Sequence, residues 1–269
     1  MAFGISTSCL YPVNTELALE ELGKRGIKTC EVFLNSISET TPEFVKILNK
    51  IKNEYGTRIT AVHPFSSFSE TFMLFGEYER RYLDVVEFYK NCFEVTAMLG
   101  ADISIIHGMR RHGKLPHEIY FERFAGLIEE GKKHGVRVAQ ENVNGHFSAD
   151  PSFLRSMKAA LGKDFNLVFD IKQAVRSGNE PFSFAEEFKK DIIRVHVSDN
   201  NSESDCLPPG TGSFDFERFF SIMDSVNYEG DYIIELYRDG FGEIEELKSS
   251  FEYLQNYKLH LKNGENMLY

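Results

Sequence analysis

The sequence predicts an α/β fold, a single (β/α)8 barrel spanning residues 1–269, and three observations predict it. Short apolar, β-branched runs alternate with longer runs of helical period from one end of the chain to the other. Eight strand candidates and eight helix candidates pair in order, the number at which a parallel sheet closes on itself. No Pro/Ser-rich linker, low-complexity stretch or break in composition divides the chain, so one domain is the simplest organisation.

The first strand candidate, 3–9, reads FGISTSC, and helix 15–24 follows it as TELALEELGK. A doubly wound open sheet would place a glycine-rich phosphate loop after that strand; Ser6, Thr7, Ser8 and Cys9 stand there instead, which favours the closed barrel. The second strand, 29–34 (TCEVFL), leads to helix 41–55, where Thr41 reads as an N-cap with Pro42 at the first helical position. Gly56 stops that helix ahead of strand 59–64 (ITAVHP), and Gly100 stops helix 76–99 ahead of strand 103–107 (ISIIH). Gly135 separates helix 116–134 from strand 137–141 (RVAQE), and Gly162 separates helix 149–161 from strand 166–170 (NLVFD). A residue tolerant of left-handed backbone angles is wanted at each of these stops. Helix 182–190 precedes strand 192–199 (IIRVHVSD), helix 215–227 precedes strand 231–236 (DYIIEL), and helix 241–257 ends the series. Strands joined by helices run parallel, because each crossover is helical and right-handed.

Composition narrows the function. With Lys+Arg 30 against Asp+Glu 41 the net charge is −11, and a pI of about 5.3 argues against nucleic acid as main partner, since phosphate binding needs a concentrated basic face. No run approaches the roughly 18 to 20 apolar residues of a membrane helix, and the N-terminus lacks a basic stretch followed by an apolar one, so a cytoplasmic protein is expected. Cys9, Cys30, Cys92 and Cys206 are scattered and form no CxxC pair, which predicts free thiols.

In a barrel the site lies at the C-terminal ends of the strands. Strands five to eight end in Glu141, Asp170, His196 and Glu235. Ionised carboxylates ending buried apolar runs are costly unless a cation offsets them, and three converging carboxylates call for a common positive partner. One divalent metal ion supplies it, and the mixed oxygen and nitrogen set suits Mn, Mg, Co or Zn. His63 and His107 end strands three and four at the same mouth, as second-metal ligands, substrate hydrogen-bond donors or capped strand ends. Glu31 reads as a buried structural carboxylate, Lys172 as a solvated loop residue, and His112, His117, His134, His146 and His260 as surface residues. Phe65, Phe68 and Tyr237 are placed to shield the mouth from water.

With those residues in view, the chain resembles the xylose isomerase-like TIM barrel superfamily of sugar and sugar-phosphate isomerases and epimerases, inosose dehydratases and endonuclease IV. The residues carrying the resemblance are His63-Pro64, His107-Gly108, Glu141-Asn142, Asp170, the run from His196 to Asn200, the run from Pro208 to Asp215, and Glu235. It implies a metal held by Glu141, Asp170, His196 and Glu235, with both glutamates also acting on substrate. Members commonly carry a histidine three residues after the strand-six aspartate; Gln173 stands there, suited to a substrate hydrogen bond and poor as a ligand. The Asp-x-His of endonuclease IV aligns with Ser204 and Cys206, so three of its metal ligands are replaced, although a Cys206 thiolate could bind zinc. His63, His107, Gln173 and Asp199 complete the substrate-binding set, with Asp199 either supporting His196 or binding hydroxyls.

The implied activity is metal-dependent isomerisation or epimerisation of a sugar or sugar phosphate. A proton is taken next to the carbonyl, and the enediolate is stabilised by the metal, with Glu141 and Glu235 as the acid/base pair. The alternatives are a dehydratase acting on a polyol or inosose, an endonuclease IV-like phosphodiesterase, and a sugar-binding barrel without turnover. Homo-oligomerisation is implied by family analogy alone.

Overall fold

The computed structural model describes residues 1–65 and 67–263, with side chains for all of these except 67, 68 and 260–263. Eight parallel strands close in chain order: β1 (Phe3–Ser6), β2 (Thr29–Phe33), β3 (Arg58–His63), β4 (Ile103–Ile106), β5 (Arg137–Glu141), β6 (Leu167–Asp170), β7 (Ile192–Val197) and β8 (Asp231–Ile234). Closure runs through β1 and β8, where Phe3, Gly4 and Ile5 pair with Tyr232, Ile233 and Ile234. Gly4 is required at that seam, because a Cβ there would lie 2.4 Å from the Thr29 carbonyl oxygen.

Around the barrel run α1 (Thr15–Lys24), α2 (Pro42–Tyr55), α3 (Ser67–Met73), α4 (Glu79–Met98), α5 (His117–Lys133), α6 (Pro151–Leu161), α7 (Ile171–Arg176), α8 (Pro181–Phe188), α9 (Phe216–Asp224) and α10 (Ile244–Asn263). Thr41 caps α2 by accepting from the Phe44 N–H, and Gly56 closes it at φ 63°. The helices bury Leu48, Phe93, Phe124, Phe153, Phe184, Phe219 and Leu247 against the outer faces of the strands. No helix of the described residues is long and apolar enough to cross a membrane.

Three predicted elements differ. The strand expected at 3–9 ends at Ser6, whose hydroxyl accepts from the Ser8 N–H and turns Thr7–Leu10 into a 3-10 helix; short hydroxyl side chains compete with the ladder in this way. The helix expected at 76–99 is preceded by α3, and the helix expected at 182–190 by α7. At seven and six residues these are too short to show a helical period.

The period of two along each strand positions the site. Ala61, Ile103, Ile105, Ala139 and Val168 pack together as a small separate core, and Ala61, Ile105, Ala139 and Val168 each lie two residues before a strand-end His63, His107, Glu141 or Asp170. On β7 the buried Arg194 stands below His196 in the same manner. The apolar floor and the polar layer above it are consecutive rungs of one pattern.

Candidate active site

His196 is the centre of the polar layer. Its Nδ1 lies 3.0 Å from Glu235 Oε2, 3.1 Å from Glu141 Oε1 and 3.6 Å from Asp170 Oδ2. Its Nε2 lies 3.2 Å from the Glu31 carboxylate, and Arg194 Nη1 approaches Glu31 from behind at 3.5 Å. Glu31 is therefore structural, as expected, and it orients the imidazole. Both ring nitrogens face carboxylates and so both donate; with Nε2–H held against Glu31, loss of the Nδ1 proton would turn a lone pair toward an ion set among the three carboxylates.

Each carboxylate is placed by its own local chemistry. Asp170 ends β6 and caps α7, with Oδ1 accepting from the Gln173 N–H at 2.9 Å. The Asn142 side chain exchanges two hydrogen bonds with the Asp170 backbone, at 3.0 and 2.7 Å, which ties the ends of β5 and β6 together. Glu235 follows β8, its N–H bonded to Val197 O at 3.2 Å, and its side chain accepts from Ser8 Oγ at 3.2 Å and Lys172 Nζ at 2.9 Å. On its other side Glu141 Oε2 lies 2.9 Å from His107 Nε2 and 3.5 Å from His63 Nε2. The two histidines touch through their Nε2 atoms at 2.8 Å, and His63 Nδ1 lies 3.0 Å from the Pro64 carbonyl oxygen.

Burial opposes ionisation of Glu141, yet His107 and His196 outweigh it and hold that carboxyl well below the usual carboxylate range. Burial is likewise outweighed at Glu235, which His196 and Lys172 hold low. Asp170 is raised, chiefly by burial. Burial also opposes charge on His196, but Glu235 and Glu31 push it well above the ordinary imidazole value.

Glu141, Asp170, His196 and Glu235 each offer one ligand atom within 4.8 Å of the others, and so do His63, His107 and Glu141. The first group fits a divalent cation, since its donors are three carboxylate oxygens and an imidazole nitrogen. Glu141, Glu235, His107, Lys172 and Gln173 line one cavity of about 500 Å³, walled by Tyr11, Phe33, Phe65 and Tyr237. Phe65 and Tyr237 thus stand where the mouth needs shielding, whereas the side chain of Phe68 lies outside the described residues.

Gln173 sits at the cavity wall, accepting from the Asn144 N–H at 3.0 Å and donating to Tyr237 Oη at 3.2 Å. Asp199 differs from expectation. Its carboxylate accepts from the N–H groups of Asn200, Gly210, Gly212 and Phe214 at 2.8 to 3.0 Å, so it organises its own loop and has no acceptor left for a sugar hydroxyl. Lys172 differs as well: it is buried in α7 and paired with Asp170 and Glu235. Cys206 is buried and belongs to neither ligand group. A sequence signal for Lys172 does exist, since the second residue of a helix capped by a strand-end aspartate can fold back over that cap. For Glu31 the signal is the strand parity that also marks Glu141.

Among the histidines read as surface residues, His112 is exposed, His117 and His134 are half-buried, and His260 lies outside the residues whose side chains are described. His117 packs edge-on against Phe147 and Phe153, and His146 is buried 5.9 Å from the His107 ring. Burial, then the neighbouring His107, lower the His146 pKa from 6.5 to about 4. The unfolded chain therefore binds a proton that the folded chain refuses, so the His146 contribution is fully present above pH 6.5 and lost as pH falls toward 4. Between about pH 7 and 4.5, urea unfolding is expected to show the wild type losing about 2–3 kcal/mol more than His146→Gln. Equal losses would remove His146 as the cause.

The geometry defines a class before any comparison: a (β/α)8 barrel whose strand-end carboxylates and histidines gather over one cavity at the C-terminal mouth. The chain belongs to the xylose isomerase-like TIM barrel family, whose model matches residues 18–257. Among solved structures it is similar to a D-tagatose 3-epimerase-like protein, 21% identical, covering 98% of this chain and 99% of that one with a TM-score of 0.80. It is also similar to a D-psicose 3-epimerase solved in the presence of D-fructose, 14% identical over 96% of this chain and 98% of that one, TM-score 0.80. A 3-keto-D-glucoside 4-epimerase from E. coli is 15% identical over 95% of this chain and 99% of that one, TM-score 0.75. At these identities the likeness is one of fold. An inosose dehydratase of Clostridium beijerinckii is 27% identical over 114 residues, a stretch that spans 36% of this chain and 37% of that relative's length.

Proposed function

We propose that this chain is a divalent-metal-dependent sugar epimerase or isomerase that moves a proton on a carbon next to the carbonyl. The observation that carries the reading is the pairing of Glu141 and Glu235: two carboxylates from β5 and from just beyond β8, both lining one cavity and both within 3.1 Å of His196 Nδ1. Two acid/base groups reaching a substrate from different sides are what proton removal and return require. Glu141, Asp170, His196 and Glu235 would hold the ion, which when bound supplies Lewis-acid stabilisation of negative charge on the substrate oxygens. One glutamate takes the proton and the other returns one. His107, beside Glu141 at the cavity, and Gln173 orient hydroxyls, and Phe33, Phe65 and Tyr237 keep bulk water from the intermediate.

The test is exchange in D2O. Protein loaded with Mn²⁺ or Co²⁺ and offered D-fructose, D-tagatose and D-psicose is expected to place deuterium on a carbon next to the carbonyl, with a new epimer or aldose formed. No exchange with any ketose under any divalent ion would sink the reading. The match to an inosose dehydratase favours one second reading, in which the same proton removal is followed by loss of a hydroxyl; an inosose then loses one water by mass. The phosphodiesterase reading has Gln173, Ser204 and Cys206 in place of ligands and a net charge of −11 against it.

A further inference from the structure

Lys172 occupies an unusual place for a lysine. Its side chain is 3% exposed, its ammonium bonds Asp170 Oδ2, and it lies 2.9 Å from Glu235 Oε2. Those are two of the four groups that fit a divalent ion. The same ammonium borders the cavity, 5.5 Å from the centre of the Tyr237 ring. The capping bond from Asp170 to the Gln173 N–H fixes the first turn of α7, which carries Lys172 back over the end of β6.

Charge explains why such a residue is tolerated there. With the His196 imidazole neutral, as a metal ligand must be, the three buried carboxylates carry three negative charges; a divalent ion would offset two, and the lysine offsets the third. Without an ion, the ammonium and the His196 imidazole both stand between Asp170 and Glu235, and only the ammonium is free to be displaced without giving up a ligand. A cation cannot approach those oxygens while an ammonium bonds both, since like charges at such separations repel strongly in a buried site.

We propose that Lys172 is an internal counter-ion that competes with the divalent metal for Asp170 and Glu235, and that metal entry releases its ammonium toward the substrate cavity. This rests on the metal-dependent reading above. It makes Lys172 a positioning residue that sets how tightly the site holds metal. It also means that weakly binding ions such as Mg²⁺ meet a competitor that Mn²⁺, Co²⁺ and Zn²⁺ overcome more readily.

The first measurement is Mn²⁺ affinity by titration calorimetry on chelator-stripped full-length protein, for the wild type, Lys172→Gln and Lys172→Arg. The expected result is at least tenfold tighter Mn²⁺ binding by Lys172→Gln, with Lys172→Arg near the wild type. Wild-type binding with equal or weaker binding by Lys172→Gln would overturn the role of Lys172 and leave the metal-dependent reading standing. Absence of Mn²⁺ binding in all three proteins would overturn both. Binding by Lys172→Gln alone would be the strongest support. Because removal of a buried cation can prevent folding, the second measurement uses the wild type: amine acylation at Lys172, read by peptide mass spectrometry with and without Mn²⁺. Released from Asp170 and Glu235, Lys172 is expected to acylate several-fold faster with Mn²⁺ present. Unchanged or slower labelling would count against release.

Discussion

Replacing either Glu141 or Glu235 by glutamine is expected to lower kcat by roughly 10³-fold or more while leaving the fold intact. Glutamine keeps the size of the side chain and one acceptor oxygen, so at Glu235 the bond from Ser8 Oγ has a partner, and at Glu141 the histidines still face an amide. What disappears is the capacity to take up a proton and one of the charges in the ligand group. Those two losses are separable. Mn²⁺ affinity measured on each variant reports the ligand role, and kcat at saturating Mn²⁺ reports the proton-transfer role. A variant that binds Mn²⁺ almost as well as the wild type yet turns over a thousandfold more slowly assigns the glutamate to proton transfer. Retention of more than a few per cent of activity by both variants would refute the two-glutamate mechanism. A collapse in kcat for one variant alone would point to a single carboxylate working with His107 or with water.

Much of this arrangement is legible in the sequence because one rule governs both the barrel and its mouth. A strand buried on both faces reads as an apolar run, and a charged residue ending such a run is conspicuous. Glu141, Asp170, His196 and Glu235 share that signature, and the geometry brings one ligand atom of each within 4.8 Å of the others. Where the rule is silent, reading fails. Lys172 follows a strand by two residues and looks like loop, because a six-residue helix has no period to detect. Glu31 shares the strand signature and reads rightly as structural, but its partner Arg194 stands three strands away round the ring and no local pattern links the two. His146 stands in a loop between Gly145 and a 3-10 turn, where exposure is the usual expectation, yet the antiparallel bridge between Arg110 and His146 folds that loop over the ring of His107. Asp199 is the instructive case. It ends the expected strand 192–199 yet lies two residues beyond β7, and glycines at 210 and 212 bring backbone N–H groups to its carboxylate before any substrate can reach it.

That reassignment of Asp199 predicts a stability effect without a catalytic one. Its two oxygens accept four backbone N–H groups between residues 200 and 214, and its own backbone exchanges two hydrogen bonds of 2.8 Å with Leu207. Asp199→Ala leaves four donors without an acceptor; at about 1 kcal/mol or more for each donor that water cannot reach, the loss is expected to be roughly 3 kcal/mol. Asp199→Asn should recover little of it, because the amide offers one acceptor oxygen and turns an NH2 group toward N–H donors. Gly212→Ala tests the same contact from the other side, since a Cβ there would lie 2.3 Å from Asp199 Oδ1 and 2.5 Å from the Asn200 carbonyl oxygen. Both changes break one cluster, so the double variant is expected to be destabilised by clearly less than the sum of the singles. Measured well below its melting temperature, Asp199→Ala should keep kcat and KM within a few-fold of the wild type. A large rise in KM at unchanged stability would return Asp199 to the substrate. Additive losses in the double variant would instead mean that the loop is held by contacts other than this carboxylate.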